Sequence, residues 1–277
     1  MSKLSIIPNS SSWEEKKTAW EKNVQYHQKN HPLKQLKSLP NMVGVTKETA
    51  RFLRIKALWY LLSHDTKNIF LRYFFKRPIL YGISLFTSYL HRKSFLRQDD
   101  FFFYGLKTEE EFTKLICDEK TILIVGFSYC HKPLECPSGR FSDRCDSIAD
   151  HPVCSQCFIG KCNYLLSSTK AKIVYIPTIH YIGEKIFEAT HQYPGYKIAF
   201  LITACEMSLR MFGDWGNMVG AKGIGVRLDG RICNTMRAFI LSEEGVKPGL
   251  TVVLDPTQEK ILSLLKHIHK DVCDEKA

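Results

Sequence analysis

The sequence predicts an α/β fold: a mostly parallel sheet with flanking helices and a cysteine-rich metal site, preceded by a mainly helical, basic N-terminal region. Three observations predict it. Apolar, β-rich runs alternate with helical patterns from residue 121 onward, and a parallel sheet with crossover helices is the natural solution to that alternation. Six of the ten cysteines fall between Cys130 and Cys162. The charge is uneven: residues 1–100 hold 18 Lys/Arg against 7 Asp/Glu, while residues 101–277 hold 21 of each, so the first stretch carries the whole net charge of +11. Two regions follow, a basic, mainly helical one over 1–100 and a cysteine-rich α/β domain over 101–277.

In chain order, Ser12 with Glu15 three residues later has capping-box spacing. Residues 1–45 otherwise read as a polar arm with a few helical turns, interrupted at Pro32 and Pro40. Thr46 can cap an amphipathic helix over 46–66, in which Phe52, Leu53, Leu58, Leu61 and Leu62 recur near helical spacing. A second helical stretch runs to about Tyr73 and breaks at Pro78. Residues 79–90 (ILYGISLFTSYL) are apolar between Lys76-Arg77 and Arg92-Lys93. Twelve residues cannot span a bilayer but can lie in its interface; the plainer reading is a helix packed on the main domain. Strands are expected at 121–129, 172–177, 196–204, 223–228 and 251–254, and helices at 160–170, 180–192, from Glu206 and at 257–271. The glycine-rich GNMVGAKGIG (216–225) has neither Walker A nor dinucleotide-binding order and reads as turn geometry.

A hydrophobic fraction of 44% and a charged fraction of 24% are those of a globular protein. The chain has no run of 18 apolar residues, and its start lacks the apolar core of a secretory signal. The expectation is therefore a cytoplasmic protein, peripheral to the inner face of the membrane, in which clustered cysteines serve as ligands or redox groups.

Two expected strands end in a cysteine, at Cys130 and Cys205, and a third leads, after a turn at Asp229-Gly230, to Cys233. In open α/β sheets the ligand crevice lies outside the carboxyl ends of the strands, so three stretches deliver sulfur to one sheet edge. The metal candidates are Cys130, Cys136, Cys154, Cys157, Cys162, Cys205 and Cys233, with Cys145 beside them. Cys117 and Cys273 read as core thiols or as residues without a role. Glu206, directly after Cys205, reads as a first-turn charge on the next helix rather than a general base.

Over residues 121–254 the chain resembles an uncharacterised prokaryotic cysteine-rich family, number 116 among domains of unknown function. The resemblance rests on Cys130-x5-Cys136-Pro137, Cys154-x2-Cys157-Phe158-Ile159-Gly160, Thr203-Ala204-Cys205, and Gly225-Val226-Arg227-Leu228-Asp229-Gly230 followed by Cys233. It implies a cysteine-rich α/β domain that holds iron–sulfur clusters. The chain departs from the family pattern at His151, where a further cysteine is usual, and adds Cys145 and Cys162.

Cys136-Pro137 matches the Cys-Pro that ends ferredoxin ligand runs. Eight cysteines suffice for one or two 4Fe–4S clusters, and Lys132, Arg140, Arg144 and Lys161 among them favour thiolate. Zinc, with His131 or His151 as further ligands, is the alternative. The sequence thus points to an iron–sulfur protein in electron transfer, or in redox support of cofactor or sulfur metabolism, with an unidentified redox partner and an anionic membrane surface met through residues 46–97. The alternative is a zinc-stabilised nucleic-acid-binding module. No catalytic set is legible.

Overall fold

The computed structural model describes residues 12–34, 44–90, 94–230, 233–247 and 249–268. Four helices open the chain: α1 (Trp13–Asn30), α2 (Lys47–Ser63), α3 (Ile69–Phe74) and α4 (Pro78–Leu90). A hairpin of β1 (Leu96–Gln98) and β2 (Phe101–Tyr104) leads through α5 (Glu109–Cys117) to β3 (Thr121–Ser128). Then come α6 (Pro152–Gln156), α7 (Phe158–Leu166), β4 (Lys172–Ile176), α8 (Ile179–Gln192), β5 (Lys197–Ala204), α9 (Glu206–Met218) and β6 (Lys222–Arg227). Two short strands, β7 (Asp229–Gly230) and β8 (Thr251–Val252), flank α10 (Met236–Glu243), and α11 (Asp255–Lys266) follows.

The main sheet has the order β1-β2-β6-β5-β3-β4. Its four strands β6, β5, β3 and β4 run parallel, whereas β2 joins β6 antiparallel and β1 joins β2 antiparallel. The mostly parallel α/β reading therefore holds. Strand side chains alternate faces, and here both faces are covered. Leu123, Val125 and Phe127 of β3, with Ala199 and Leu201 of β5, enter the core beneath α7 and α11. Ile124, with Phe200 and Ile202, enters the core beneath α8 and α9. That double burial is why these strands read as unbroken apolar runs.

Several expectations are corrected. The hairpin β1–β2, α5 and α10 were not anticipated: FFFY has no polar alternation, so its four aromatics give no strand period although all four are buried. The Asp229-Gly230 turn is a strand, β7, and its partner β8 pairs with it alone, outside the main sheet. The 1–45 stretch is more than a polar arm. Ser12 and Glu15 do form a capping box on α1, but α1 is docked, with Trp13 and Trp20 buried and the Trp20 ring 5.3 Å from that of Tyr164. Lys16 donates to Ser168 at 2.6 Å. Pro40 lies outside the described residues. Helices α2, α3 and α4 share a core with Phe187, Met211 and Trp215 of α8 and α9. Arg54 of α2 grips Asp214 of α9 at 2.5 and 2.9 Å and also donates to the Ser88 and Tyr89 carbonyls of α4. The first hundred residues and the remainder therefore share their cores.

Among the described residues no helix is long and apolar enough to cross a membrane. Of the glycine-rich 216–225 segment, expected as turn geometry, only residues 219–221 form the turn, with Gly220 at φ +69°; the ends belong to α9 and β6. Glu206, buried in the first turn of α9, accepts from Arg97 at 3.0 Å and Arg210 at 2.8 Å, as its position at a helix start leads one to expect.

Candidate functional site: two thiol groups

From β3 the chain passes to β4 on one side, and from β5 to β6 on the other. The carboxyl ends of β3 and β5 thus border the switch point, where open α/β sheets bind their ligands. Cys130 follows β3 on a single 3-10 turn, Tyr129–His131, whose start is capped by Ser128 accepting from the Cys130 N–H at 3.3 Å. Cys205 follows β5 and forms the N-cap position of α9; its Sγ lies 3.2 Å from Ser208 Oγ. The β7–β8 pair folds the following loops back over these ends. Thr251 of β8 donates to the Cys130 carbonyl at 2.8 Å, and Cys233 and Lys247 enter beside the two thiols.

The three sulfurs form an electrostatic unit. The Cys205 thiol hydrogen-bonds Cys233, and this bond, the Lys247 ammonium and Ser242 bring Cys233 down to about 7 against the cost of burial. Cys205, the donor of that bond and itself buried, is pushed well above the ordinary thiol value. Lys247 is 8% exposed, and no oxygen or nitrogen partner holds its Nζ. Burial works against its charge, but Cys130, Cys233 and Cys205 outweigh burial and raise its pKa. Glu243 lies alongside and accepts the Ile179 N–H at 3.0 and 3.2 Å. Burial lifts its carboxyl to about 8, with the Ile179 bond opposing and Cys205 reinforcing. Cys130, Cys205 and Glu243 line a cavity of about 30 Å³. Glu243 also borders a neighbouring open pocket of about 440 Å³, whose walls include Tyr60, His64, His180 and Glu184.

A second group forms around Lys132. Cys136, Cys145, Cys154 and Cys157 all line one cavity of about 10 Å³, with Lys132, Ile159 and Gly160. Residues 132–151, which deliver two of these thiols, contain no helix or strand. Lys132, only 1% exposed, ties that loop together by donating to the carbonyls of Gly139 at 3.3 Å and Ser142 at 2.7 Å, and to that of Arg144. The other two thiols bracket the junction of α6 and α7. Backbone N–H groups point at the sulfurs: Ser138 at Cys136, Ile148 at Cys154, and Gly160 and Ile159 at Cys157. Burial nevertheless dominates, raising Cys136 and pushing Cys154 to about 11 and Cys157 to about 12. Lys132 is lowered, again chiefly by burial, with Cys136, Cys145 and Cys157 pulling the other way.

Gly160 allows the tight junction. A Cβ built there would stand 2.3 Å from the Cys154 carbonyl oxygen and 3.2 Å from the Trp20 ring. Gly160→Ala is therefore expected to lower stability by about 1–3 kcal/mol through overpacking, measured by denaturant unfolding. An unchanged midpoint would mean that the α6–α7 junction yields freely.

The eight sequence candidates thus divide unequally. Seven join one group or the other. Cys162 joins neither cavity: it lies on α7 with 0% exposure among Leu165, Ile159 and other core residues. Burial raises its thiol well above the ordinary value. The histidines offered for zinc do other work. His151 caps α6, its Nδ1 accepting the Val153 N–H at 3.2 Å. His131 is buried against Phe158, with ring centroids 5.6 Å apart, and burial lowers its pKa to about 4. Cys117 is disulfide-bonded rather than a free core thiol, and Cys273 lies outside the described residues. Of the bases expected among the ligands, Lys161 turns away to pair with Glu21 at 3.1 Å. Arg140 donates to the Gly249 carbonyl, tying the cysteine loop to the segment before β8.

Among the described residues no group of three or more His, Cys, Asp or Glu side chains is disposed to hold a metal ion as it stands. Lys247 and Glu243 were missed in the sequence. Both lie in LSEEGVKPG, which reads as a polar helix end and turn, and the β7–β8 pairing carries that segment to the thiols. No family model, curated protein or solved structure matches the chain.

Proposed function

We propose that the chain is an iron–sulfur redox protein, in which Cys136, Cys145, Cys154 and Cys157 hold a 4Fe–4S cluster and Cys205 with Cys233 forms the dithiol it serves. The carrying observation is the convergence of four thiols on one cavity with backbone N–H groups aimed at three of the sulfurs. The donor set fits the group in kind and number: cluster ligands are cysteine thiolates, and N–H donors to sulfur are among the levers that set potential. Lys132 supplies the buried positive charge that a thiolate-rich centre requires. The cavity is small, so the structureless 132–151 loop must widen to admit the group.

When bound, the cluster would supply single electrons. The remaining chemistry belongs to the chain. From the Cys233 thiolate and the Cys205 thiol, loss of two electrons and one proton joins Cys205 Sγ to Cys233 Sγ, and gain of two electrons and one proton reverses it. Cys233 is the thiolate of the pair near neutral pH, Lys247 stabilises that charge, and Cys205 holds the proton. Glu243, protonated up to about pH 8, is placed at the cavity to give or take a proton.

Protein purified without exposure to air is expected to be brown and to contain iron and acid-labile sulfide. Stoichiometric zinc without sulfide in such protein would replace this reading with a zinc-stabilised fold.

A further inference from the structure

Twelve of the twenty large hydrophobic residues exposed among the described residues fall between Ile55 and Leu90. They form rows. On α4, Ile79, Ile83, Phe86 and Leu90 repeat at helical spacing and are 61–78% exposed. On α2, Ile55, Trp59 and Leu62 do the same, and Phe75 stands between the helices at 69%. The rows are adjacent, because Leu58 of α2 and Phe86 and Tyr89 of α4 line one open groove of about 340 Å³ floored by Met211 and Trp215 of α9. The opposite face of α4 is anchored: Tyr81 and Ser88 are buried, and Ser88 Oγ donates to Asp214 at 2.8 Å.

Charge identifies what covers this face. No acidic residue occurs between Asp65 and Asp99, whereas that interval holds seven Lys/Arg. Lys76 and Arg77 are exposed immediately before the α4 row, whereas Lys67 pairs with Glu184 at 3.9 Å. An acidic protein partner would satisfy the bases but leave the long aliphatic and aromatic rows without a matched surface. A lipid surface satisfies both at once. A helix of thirteen residues is about 20 Å long, too short to span a bilayer and suited to lying in its interface. The protein has four tryptophans, of which Trp13, Trp20 and Trp215 are buried and Trp59 is 75% exposed in the middle of the α2 row. Amphipathic rings belong at such a boundary.

We infer that the α2–α4 face docks on an anionic lipid surface, with the α4 row and Trp59 immersed at the headgroup boundary and Lys76 and Arg77 on the headgroups. The docking stands independently of any metal content.

The test uses the full chain with vesicles of phosphatidylglycerol and phosphatidylcholine, against phosphatidylcholine alone, at low and high salt. Expected is sedimentation with the anionic vesicles, weakened at high salt, with a blue shift of tryptophan emission that Trp59→Phe abolishes. Lys76→Gln with Arg77→Gln should weaken partitioning roughly 10- to 30-fold at low salt, since each base near an anionic surface contributes about fivefold. Ile79→Glu with Ile83→Glu should abolish sedimentation while leaving circular dichroism and thermal unfolding unchanged, because both side chains are exposed. Three results would overturn the inference: no sedimentation with anionic vesicles at low salt; undiminished binding by the Ile79/Ile83 variant; or a self-associated form, or a nucleic-acid complex, that this variant dissolves while vesicles stay unbound.

Discussion

Cys154→Ser and Cys157→Ser are each expected to lose most of the iron and sulfide and to lower stability, whereas Cys162→Ala keeps full metal content. On the proposed function the two serines would remove ligands at the α6–α7 junction, where both sulfurs receive backbone N–H groups. Ligands drawn from separate segments make metal binding part of the folding free energy, so a loss there also loosens the loop that the metal would hold. Cys162 contrasts with them. It is equally close in sequence but has 0% exposure in the aliphatic core, so truncation should cost about 1 kcal/mol of packing with no change in colour. Metal analysis, a visible spectrum and thermal unfolding read both effects. Full iron in both serine variants would move the centre elsewhere, and iron loss in Cys162→Ala would return that thiol to the ligand set.

The second large effect concerns the crevice. In metal-free, reduced protein the ultraviolet absorbance of thiolate should rise through a midpoint near pH 7, a step missing from Cys233→Ser. Lys247→Met should shift that midpoint upward by about a unit, because it removes the ammonium facing the sulfurs. The sign for stability follows from the depressed pKa. Cys233 contributes stabilisation that is complete above the ordinary thiol value of 9.0 and is lost as pH falls through about 7. Glu243 acts in the opposite sense. Its folded pKa of about 8 exceeds the ordinary 4.5, so its contribution is complete below 4.5 and is lost as pH rises through 8. Glu243→Gln should therefore flatten the decline in stability across that window. A Cys233 step that stays in the usual thiol range, or is unmoved in Lys247→Met, would remove Lys247 from the site.

Much of this was legible in the sequence for a definite reason. β3 and β5 are buried on both faces, so their residues form unbroken apolar runs, and the cysteine directly after each run marks the strand's carboxyl end. That local fact sufficed to place Cys130 and Cys205 together. The separation of the thiols into two groups was not legible, because it depends on which way the 132–151 loop turns, and Lys132 decides that through carbonyls seven to twelve residues away. The spacing Cys154-x2-Cys157-x4-Cys162 invited one site. On the helix that begins at Phe158, however, Cys162 points into the core, away from the cavity Cys157 lines. Lys247 gave no signal at all: a lysine between valine and proline after a glycine is the composition of a surface turn, and only the pairing of two-residue strands buries it. The docked α1 was similarly hidden, since Trp13 and Trp20 are seven residues apart among charges and reveal a buried face only once α7 lies beneath them.

The two thiol groups also differ in how far apart their members lie along the chain. Cys136 to Cys157 occupies 22 consecutive residues, whereas Cys130, Cys205 and Cys233 are spread over 104. Contacts of short sequence separation close early and those of long separation late. During synthesis the four-cysteine segment leaves the ribosome while β5 is still unmade. The crevice thiols, by contrast, meet only after the crossover α8, the placement of β5 beside β3 and the β7–β8 closure. On the proposed function, maturation would then be ordered: the four-cysteine segment would be available for its cluster first, and the Cys205–Cys233 pair would be assembled last.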